Sequence, residues 1–291
     1  MNPSPARYAV IGNPVAHSRS PQIHAAFARQ TGDVMVYERR LAPLDGFRES
    51  VTAFFDEGGC GLNVTVPFKQ QAWQLAQAHL SERARLAGAV NTLWRDQGVL
   101  RGCNTDGVGL LRDLAHCGVS LAGARVLLVG AGGAARGVIA PLLAAGCAEL
   151  RVVNRTAARA HELVADLQSA LGSRSLQAAG LADAGRSGGW DVVINATASS
   201  LDDAAPDLPP TGIWRVGGWA YDMMYGSQPT PFLRQAAAAG MAVADGMGML
   251  VEQAAESFRL WRGILPDTTP VRQALRAALA NQLPADAPLS V

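Results

Sequence analysis

Lysine is nearly absent from this chain. Lys and Arg together number 25 in 291 residues, and the single lysine, Lys69, leaves 24 arginines (25 − 1 = 24). Arginine keeps its proton at any accessible pH, whereas a lysine amine can release and regain one. Lys69 is therefore the position to follow if proton transfer needs a nitrogen base. Cysteine is scarce too: Cys60, Cys103, Cys117 and Cys147 stand at least 14 residues apart. That spacing excludes a C-x-x-C metal or redox pair and leaves reduced thiols as the expectation. No apolar run reaches the length of about 18 residues that a membrane helix needs, so no membrane partner is expected. The opening Met1-Asn2-Pro3-Ser4-Pro5 has no charged segment followed by an apolar one, which points to a cytoplasmic protein. A net charge of +1 excludes a whole-chain basic field, so nucleic acid is not expected as a partner.

What is present is a core-forming composition, 49% hydrophobic and 17% charged, at a length suited to about two domains. The first hundred residues alternate strand and helix signals. Tyr8–Ile11 reads as a strand, and Ser20-Pro21 as an N-cap opening a helix to Gly32. Val34–Tyr37 is a second strand, Leu44–Phe55 a helix and Leu62–Val66 a third strand halted by Pro67. Ser81 opens the next helix, and Asp96-Gln97-Gly98 joins two short strands as a hairpin. From Val108 the pattern becomes strand–helix repeats: strands at 125–129, 150–153, 191–194, 220–223 and 241–243, with helices between. This succession implies a mainly parallel sheet covered on both faces. After Gly246 the chain is helical with no accompanying strand, so these helices should return to the first domain. The tail from Leu283 to Pro288 looks frayed.

The strand at 125–129 runs into Gly130-Ala131-Gly132-Gly133-Ala134-Ala135 and then a helix. The G-x-G-x-x-A spacing, in strand–turn–helix context, is that of a dinucleotide-binding loop. Backbone N–H groups and the helix dipole would hold a pyrophosphate there. At the end of the following strand an NAD site would place Asp or Glu for the ribose 2′-hydroxyl. This chain has Asn154-Arg155-Thr156, with Arg159 one turn later. Guanidinium and hydroxyl donors suit a 2′-phosphate, so the cofactor reads as NADP.

The first domain has no glycine phosphate loop. It carries small polar residues at strand ends instead: Ser18 and Ser20, Asn63 and Thr65, then Lys69, Asn91 and Asp106. Taken singly each has an ordinary structural role as cap or satisfied strand polar. Together they suit a small polyhydroxylated ligand.

Several segments resemble the shikimate dehydrogenase family. They are Gly12-Asn13-Pro14-Val15-Ala16-His17-Ser18-Arg19-Ser20-Pro21, Asn63-Val64-Thr65-Val66-Pro67-Phe68-Lys69, Gly88-Ala89-Val90-Asn91-Thr92 and Asn104-Thr105-Asp106-Gly107. The likeness continues through the glycine loop, Asn154-Arg155-Thr156, Asn195-Ala196-Thr197, Tyr221-Asp222-Met223 with Tyr225, and Asp245-Gly246-Met247-Gly248-Met249-Leu250. The resemblance implies an α/β protein: an N-terminal α/β substrate domain (1–107 with 246–291) plus a Rossmann-like, doubly wound dinucleotide-binding domain (108–245). It implies reversible NADPH-dependent reduction of 3-dehydroshikimate to shikimate, with Lys69 and Asp106 as the catalytic pair. Substrate contacts are then expected from Ser18, Ser20, Asn63, Thr65, Asn91, Tyr225 and Gln253. Cofactor contacts are expected from residues 130–135, Asn154, Arg155, Thr156, Arg159, Thr197, Met223 and Gly246. The cleft is expected between the domains, with a hinge near Gly107 and Gly246.

Two positions depart from the pattern. Ser200 stands where the family usually has glycine, which puts the geometry of that loop in doubt, and Cys103 occupies a variable position. Three other readings stay open: a quinate or related polyol substrate, a methylene-tetrahydrofolate dehydrogenase of similar plan, and a ligand sensor without catalysis. A homodimer is compatible with the sequence, which does not set the oligomeric state.

Overall fold

The structure, a computed structural model, describes residues 5–172, 175–199 and 203–289. The chain divides into two compact units, Met1–Gly109 with Val251–Val291, and Leu110–Leu250.

The first unit runs β1 (Ala6–Gly12), α1 (Ser20–Thr31), β2 (Met35–Leu41), α2 (Phe47–Asp56), β3 (Gly59–Val64), α3 (Lys69–Leu75), α4 (Glu82–Ala87), β4 (Thr92–Asp96) and β5 (Val99–Cys103). Its sheet has the order β2-β1-β3-β4-β5. β1 pairs parallel with β2 and β3, and β3, β4 and β5 pair antiparallel in turn. The period-2 alternation of strand side chains sorts this sheet into two faces. Ala9, Ile11, Leu62 and Val64 pack with Phe47, Val51 and Phe54 of α2 and Ala72 of α3. Tyr8 and Asn63 take the opposite face, where Tyr8 stacks on Trp261 with ring centroids 4.8 Å apart. One sheet thus has an apolar side and a side that carries polar groups.

Helix α5 (Asp106–His116) leads into β6 (Arg125–Val129), α6 (Gly133–Ala144), β7 (Glu149–Asn154), α7 (Ala157–Leu171), β8 (Leu176–Gly180), β9 (Val192–Asn195), β10 (Trp219–Asp222), α8 (Pro231–Ala238) and β11 (Ala242–Asp245). Six parallel strands pair in the order β11-β10-β9-β6-β7-β8. The chain winds outward from β6 in both directions, which is doubly wound topology with its reversal between β6 and β9. β6 shows why both faces are covered. Val126 and Leu128 join the cluster with α5, α6 and α7, while Leu127 and Val129 join the one with Trp190 and α8. Finally α9 (Met247–Arg262) and α10 (Thr269–Ala280) close the chain. Among the described residues no helix is long and apolar enough to cross a membrane.

Several sequence expectations need correction. Ser20 is not an N-cap: it is the first residue of α1, whose cap position is Arg19 in αR conformation with no side-chain cap bond. β3 ends at Val64 rather than Val66, and the helix α3 and strand β8 were not foreseen. The tail is not frayed among its described residues, because arginine side chains hold its carbonyls and Leu289 is buried. Ser200 lies outside the described residues.

Candidate active site

In the first unit the strand ends gather most of the expected polar residues into one network. Lys69 is the first residue of α3 and Asp106 the first of α5. The Lys69 Nζ donates to Asp106 Oδ2 at 2.6 Å. Asp106 Oδ1 accepts from Asn91 Nδ2 at 2.8 Å, so both carboxylate oxygens are held. The Asp106 side chain is 8% exposed and that of Lys69 18%, which leaves the amine the more accessible partner. Asn104 fixes the start of α5: its Oδ1 accepts from the Asp106 N–H at 3.0 Å, and its Nδ2 donates to the Ala89 carbonyl at 3.1 Å. This side chain joins the N-T-D-G segment to the one that carries Asn91.

Asn91 Oδ1 accepts from the Thr105 N–H and from the Thr92 hydroxyl, each at 2.9 Å. The Thr92 and Ser257 hydroxyl oxygens lie 2.8 Å apart, and the Ser257 hydroxyl donates to the Gln253 carbonyl at 3.0 Å. Asn63 Nδ2 donates to the Asn91 carbonyl at 3.2 Å and to Ser257 Oγ at 3.0 Å. A carbonyl accepts only, which sets the amide orientation of Asn63. Its Oδ1 accepts from the Tyr37 hydroxyl at 2.7 Å. Gln253 Oε1 lies 3.3 Å from Asn91 Nδ2 and 3.4 Å from the Thr105 hydroxyl. Burial raises the Tyr37 phenol well above its ordinary value, so this hydroxyl stays a donor. His24 stacks on Tyr37 with ring centroids 4.2 Å apart and planes at 6°. Burial pushes this imidazole down to about 3, which keeps it neutral.

Ser18 and Ser20 form a separate pair. The Ser18 hydroxyl donates to Ser20 Oγ at 3.2 Å and also accepts from the Ser20 N–H at 3.3 Å. Thr65, just beyond β3, donates its N–H to the Ile11 carbonyl at 3.0 Å. A Cβ at Gly12 would stand 2.3 Å from Thr65 Cγ2, so glycine there lets the threonine side chain seat against β1. Tyr37, Thr92, Thr105 and Ser257 were missed by the sequence reading. Thr92 and Thr105 lie inside motifs already singled out, and Ser257 follows Gln253 by four residues on one face of α9. No sequence signal marks Tyr37.

In the second unit the expected cofactor residues lie at the carboxyl ends of the parallel strands. β6 runs into Gly130, whose φ of +113° suits glycine. A Cβ at Gly132 would meet nothing within 4 Å, so the start of α6 has open space against its backbone. Gly133 and Ala134 form the first turn of α6, half-buried like Ala131, and Ala135 is fully buried against the sheet. Past β7, Asn154 donates through Nδ2 to the Thr156 carbonyl at 3.0 Å, while Arg155, Thr156 and Arg159 are exposed. Past β9, Thr197 donates its N–H and its hydroxyl to Asn195 Oδ1, at 3.1 and 2.7 Å. Met223 and Tyr225 follow β10 and are half-buried, and Gly246 follows β11, its N–H donating to the Met224 carbonyl at 3.1 Å. An open helix N-terminus, with two exposed arginines at the next strand end, fits a phosphorylated dinucleotide. Among the described residues no group of His, Cys, Asp and Glu could hold a metal ion.

A doubly wound unit with a glycine loop, in a chain whose other unit carries a buried lysine–carboxylate pair, defines a dinucleotide-dependent oxidoreductase of two-unit plan. Comparison with known proteins narrows this. The family model described as shikimate dehydrogenase substrate binding domain matches residues 10–93. Those described as shikimate / quinate 5-dehydrogenase and shikimate 5'-dehydrogenase C-terminal domain match 113–202 and 246–276. The shikimate dehydrogenase (NADP(+)) of Bordetella petrii is 64% identical over 276 residues, covering 94% of this chain and 96% of that one. That of Bordetella avium is 63% identical over 281 residues, covering 95% and 97%. The shikimate 5-dehydrogenase of Thermus thermophilus, solved in complex with NADP(H) and shikimate, superposes with a TM-score of 0.83 at 37% identity, covering 94% of this chain and all of that one. The chain belongs to the shikimate dehydrogenase family.

Proposed function

We propose that this chain catalyses the reversible NADPH-dependent reduction of 3-dehydroshikimate to shikimate, with Lys69 and Asp106 as the catalytic pair. The observation that carries this reading is the 2.6 Å contact between the only lysine and a buried aspartate inside a network of amides and hydroxyls. The first unit binds the substrate and the second binds NADP. When bound, the reduced nicotinamide supplies a hydride to the ring carbonyl carbon. The carbonyl oxygen then needs a proton, and the Lys69 ammonium both stabilises the developing negative charge and donates it. Asp106 orients the lysine and a substrate hydroxyl, and Asn91 holds Asp106 in place. Ser18, Ser20, Thr65 and Gln253 provide hydroxyl and amide contacts to the substrate, and Tyr225 lies near it. Asn63 contributes mainly by orienting its neighbours, because its amide is already engaged by Tyr37, Ser257 and the Asn91 carbonyl. Residues 130–135 cradle the pyrophosphate; Asn154, Arg155, Thr156 and Arg159 receive the 2′-phosphate; and Thr197, Met223 and Gly246 line the nicotinamide end. Four free cysteines are in keeping with a cytoplasmic enzyme.

The test is a steady-state assay of shikimate and quinate, each with NADP and with NAD. Turnover of shikimate with NADP, well above the other three combinations, is the expected outcome. Preferential turnover of quinate would transfer the same mechanism to another polyol. Ligand binding without NADPH oxidation by 3-dehydroshikimate would sink the catalytic reading.

A further inference from the structure

Among the described residues after α10 there is no helix or strand, yet residues 283–289 are held along their length. Arg19 donates from Nη1 to the Pro284 carbonyl and from Nη2 to the Leu283 carbonyl, each at 2.8 Å. Arg39 Nη2 donates to the Ala285 carbonyl at 2.6 Å, and Arg29 Nη2 to the Leu289 carbonyl at 2.8 Å. Gln22 Nε2 reaches the Pro284 carbonyl at 3.3 Å and also donates to that of Ala287. Leu289 is 4% exposed. Every donor is a side chain from α1, its cap position or β2, and every acceptor is a tail carbonyl. Besides these carbonyls Arg19 Nη1 reaches Gln22 Oε1 at 3.2 Å.

The same guanidinium of Arg39 donates from Nε to the Ser18 carbonyl at 2.9 Å. One side chain therefore joins the tail to the turn that presents the Ser18 and Ser20 hydroxyls. Within that turn the Ser20 N–H donates to Ser18 Oγ at 3.3 Å, and Val15 and Ser20 are buried. α1 begins without a side-chain cap bond, and the Ser18 N–H reaches back only to the Val15 carbonyl at 3.1 Å. A helix start without a cap is otherwise left to water or to distant partners.

We propose that residues 283–289 form a strap that positions the Ser18–Ser20 turn for the substrate, with Arg39 as the positioning residue between them. This rests on the reading of Ser18 as a substrate contact. A guanidinium can serve two carbonyls from fixed directions at once, whereas an ammonium at the end of a flexible stem is a point donor. Arg39→Lys keeps the charge and removes the bridge. Misplacing two hydroxyls by a fraction of an ångström weakens substrate binding while leaving Lys69 on Asp106.

The test compares three full-length or near-full-length variants in the shikimate oxidation assay: Arg39→Lys, a truncation after Gln282, and Ser18→Ala. The first two are expected to raise the shikimate KM by about fivefold to tenfold, the loss of one or two hydrogen bonds, with kcat and the NADP KM within about twofold of wild type. A tail with only a structural role would lower the melting temperature and the active fraction and leave the shikimate KM unmoved. That result, in both Arg39→Lys and the truncation, overturns the proposal. If Ser18→Ala raises the KM while those two do not, the strap alone fails. If none of the three raises it, the reading of Ser18 fails together with the strap.

Discussion

The two units present polar chemistry to a ligand in opposite ways. In the first, the candidate site is made of side chains, buried or half-buried, many of them bound to one another. Asp106, Asn91, Thr92, Thr105, Asn63 and Ser257 share their hydrogens so that the loss of one leaves a neighbour unsatisfied. In the second, the loop after β6 offers backbone and empty space, with Gly130 and Gly132 contributing no side chain and Ala131 a methyl. Recognition by backbone tolerates sequence change and is general for phosphates. Recognition by a closed side-chain network is selective and brittle. The contrast suits the proposed roles, a first unit that selects one arrangement of hydroxyls and a second that accepts a common carrier.

The hardest blow to the first unit is Lys69→Arg. It keeps the charge beside Asp106 and removes the transferable proton. Turnover should fall by about 10²–10⁴-fold while the shikimate KM changes far less, as measured by steady-state kinetics. A Lys69→Arg enzyme that turns over like wild type would place the acid–base chemistry elsewhere. In the second unit the exposed arginines are the one place where side chains should matter strongly. Replacing Arg155 and Arg159 together by alanine should raise the NADPH KM by on the order of 10–100-fold and leave that for NADH nearly unchanged. An equal effect on both cofactors would break the contrast.

A smaller effect tests the network itself. Thr92→Val keeps shape and removes the donor to Asn91 Oδ1. A fall in kcat/KM of about tenfold is expected, with recovery in Thr92→Ser. Failure of serine to restore activity would show that packing, rather than the hydroxyl, matters at this position. The smallest effect concerns His24. Its folded value of about 3 lies below the ordinary 6.5, so between those limits the unfolded chain binds more protons. Stability must therefore fall as the pH drops through that window, by at most about 1.4 kcal/mol per pH unit from this group. Melting curves from pH 7 to pH 4 should show a shallower decline for His24→Phe than for wild type.

The parallel sheet was the most legible part of the molecule. β6 occupies Arg125–Val129 as expected, because a five-residue apolar strand closed by glycine has few other homes. Asn63, Asn91 and Asp106 of the first-unit network were legible as residue types at strand ends and Lys69 by arginine bias, whereas Tyr37, Thr92, Thr105 and Ser257 were not. Other parts were hidden for physical reasons. β8, Leu-Gln-Ala-Ala-Gly, has weak strand propensity and forms by pairing along the edge of β7. α3 spans seven residues and buries only Ala72, too little for a periodic pattern to emerge. Ser20 before Pro21 reads as a cap by every local rule, yet the helix starts one residue earlier, with Ser20 exchanging hydrogen bonds with Ser18 instead. The tail has the composition of a frayed end. Its order comes from arginines some 250 residues away in the chain, from Arg19–Pro284 with a separation of 265 to Arg39–Ala285 with 246.

By itself the chain's order of residues determined the doubly wound plan, the glycine loop and the candidate proton donor, since each follows from local periodicity or from the chemistry of one residue type. Only the tertiary structure decided which polar groups meet, that Asn63 is already engaged by its neighbours, and that the tail has a place. A hydrogen bond has a direction and a length, and those are set by where distant segments meet rather than by what either segment prefers alone.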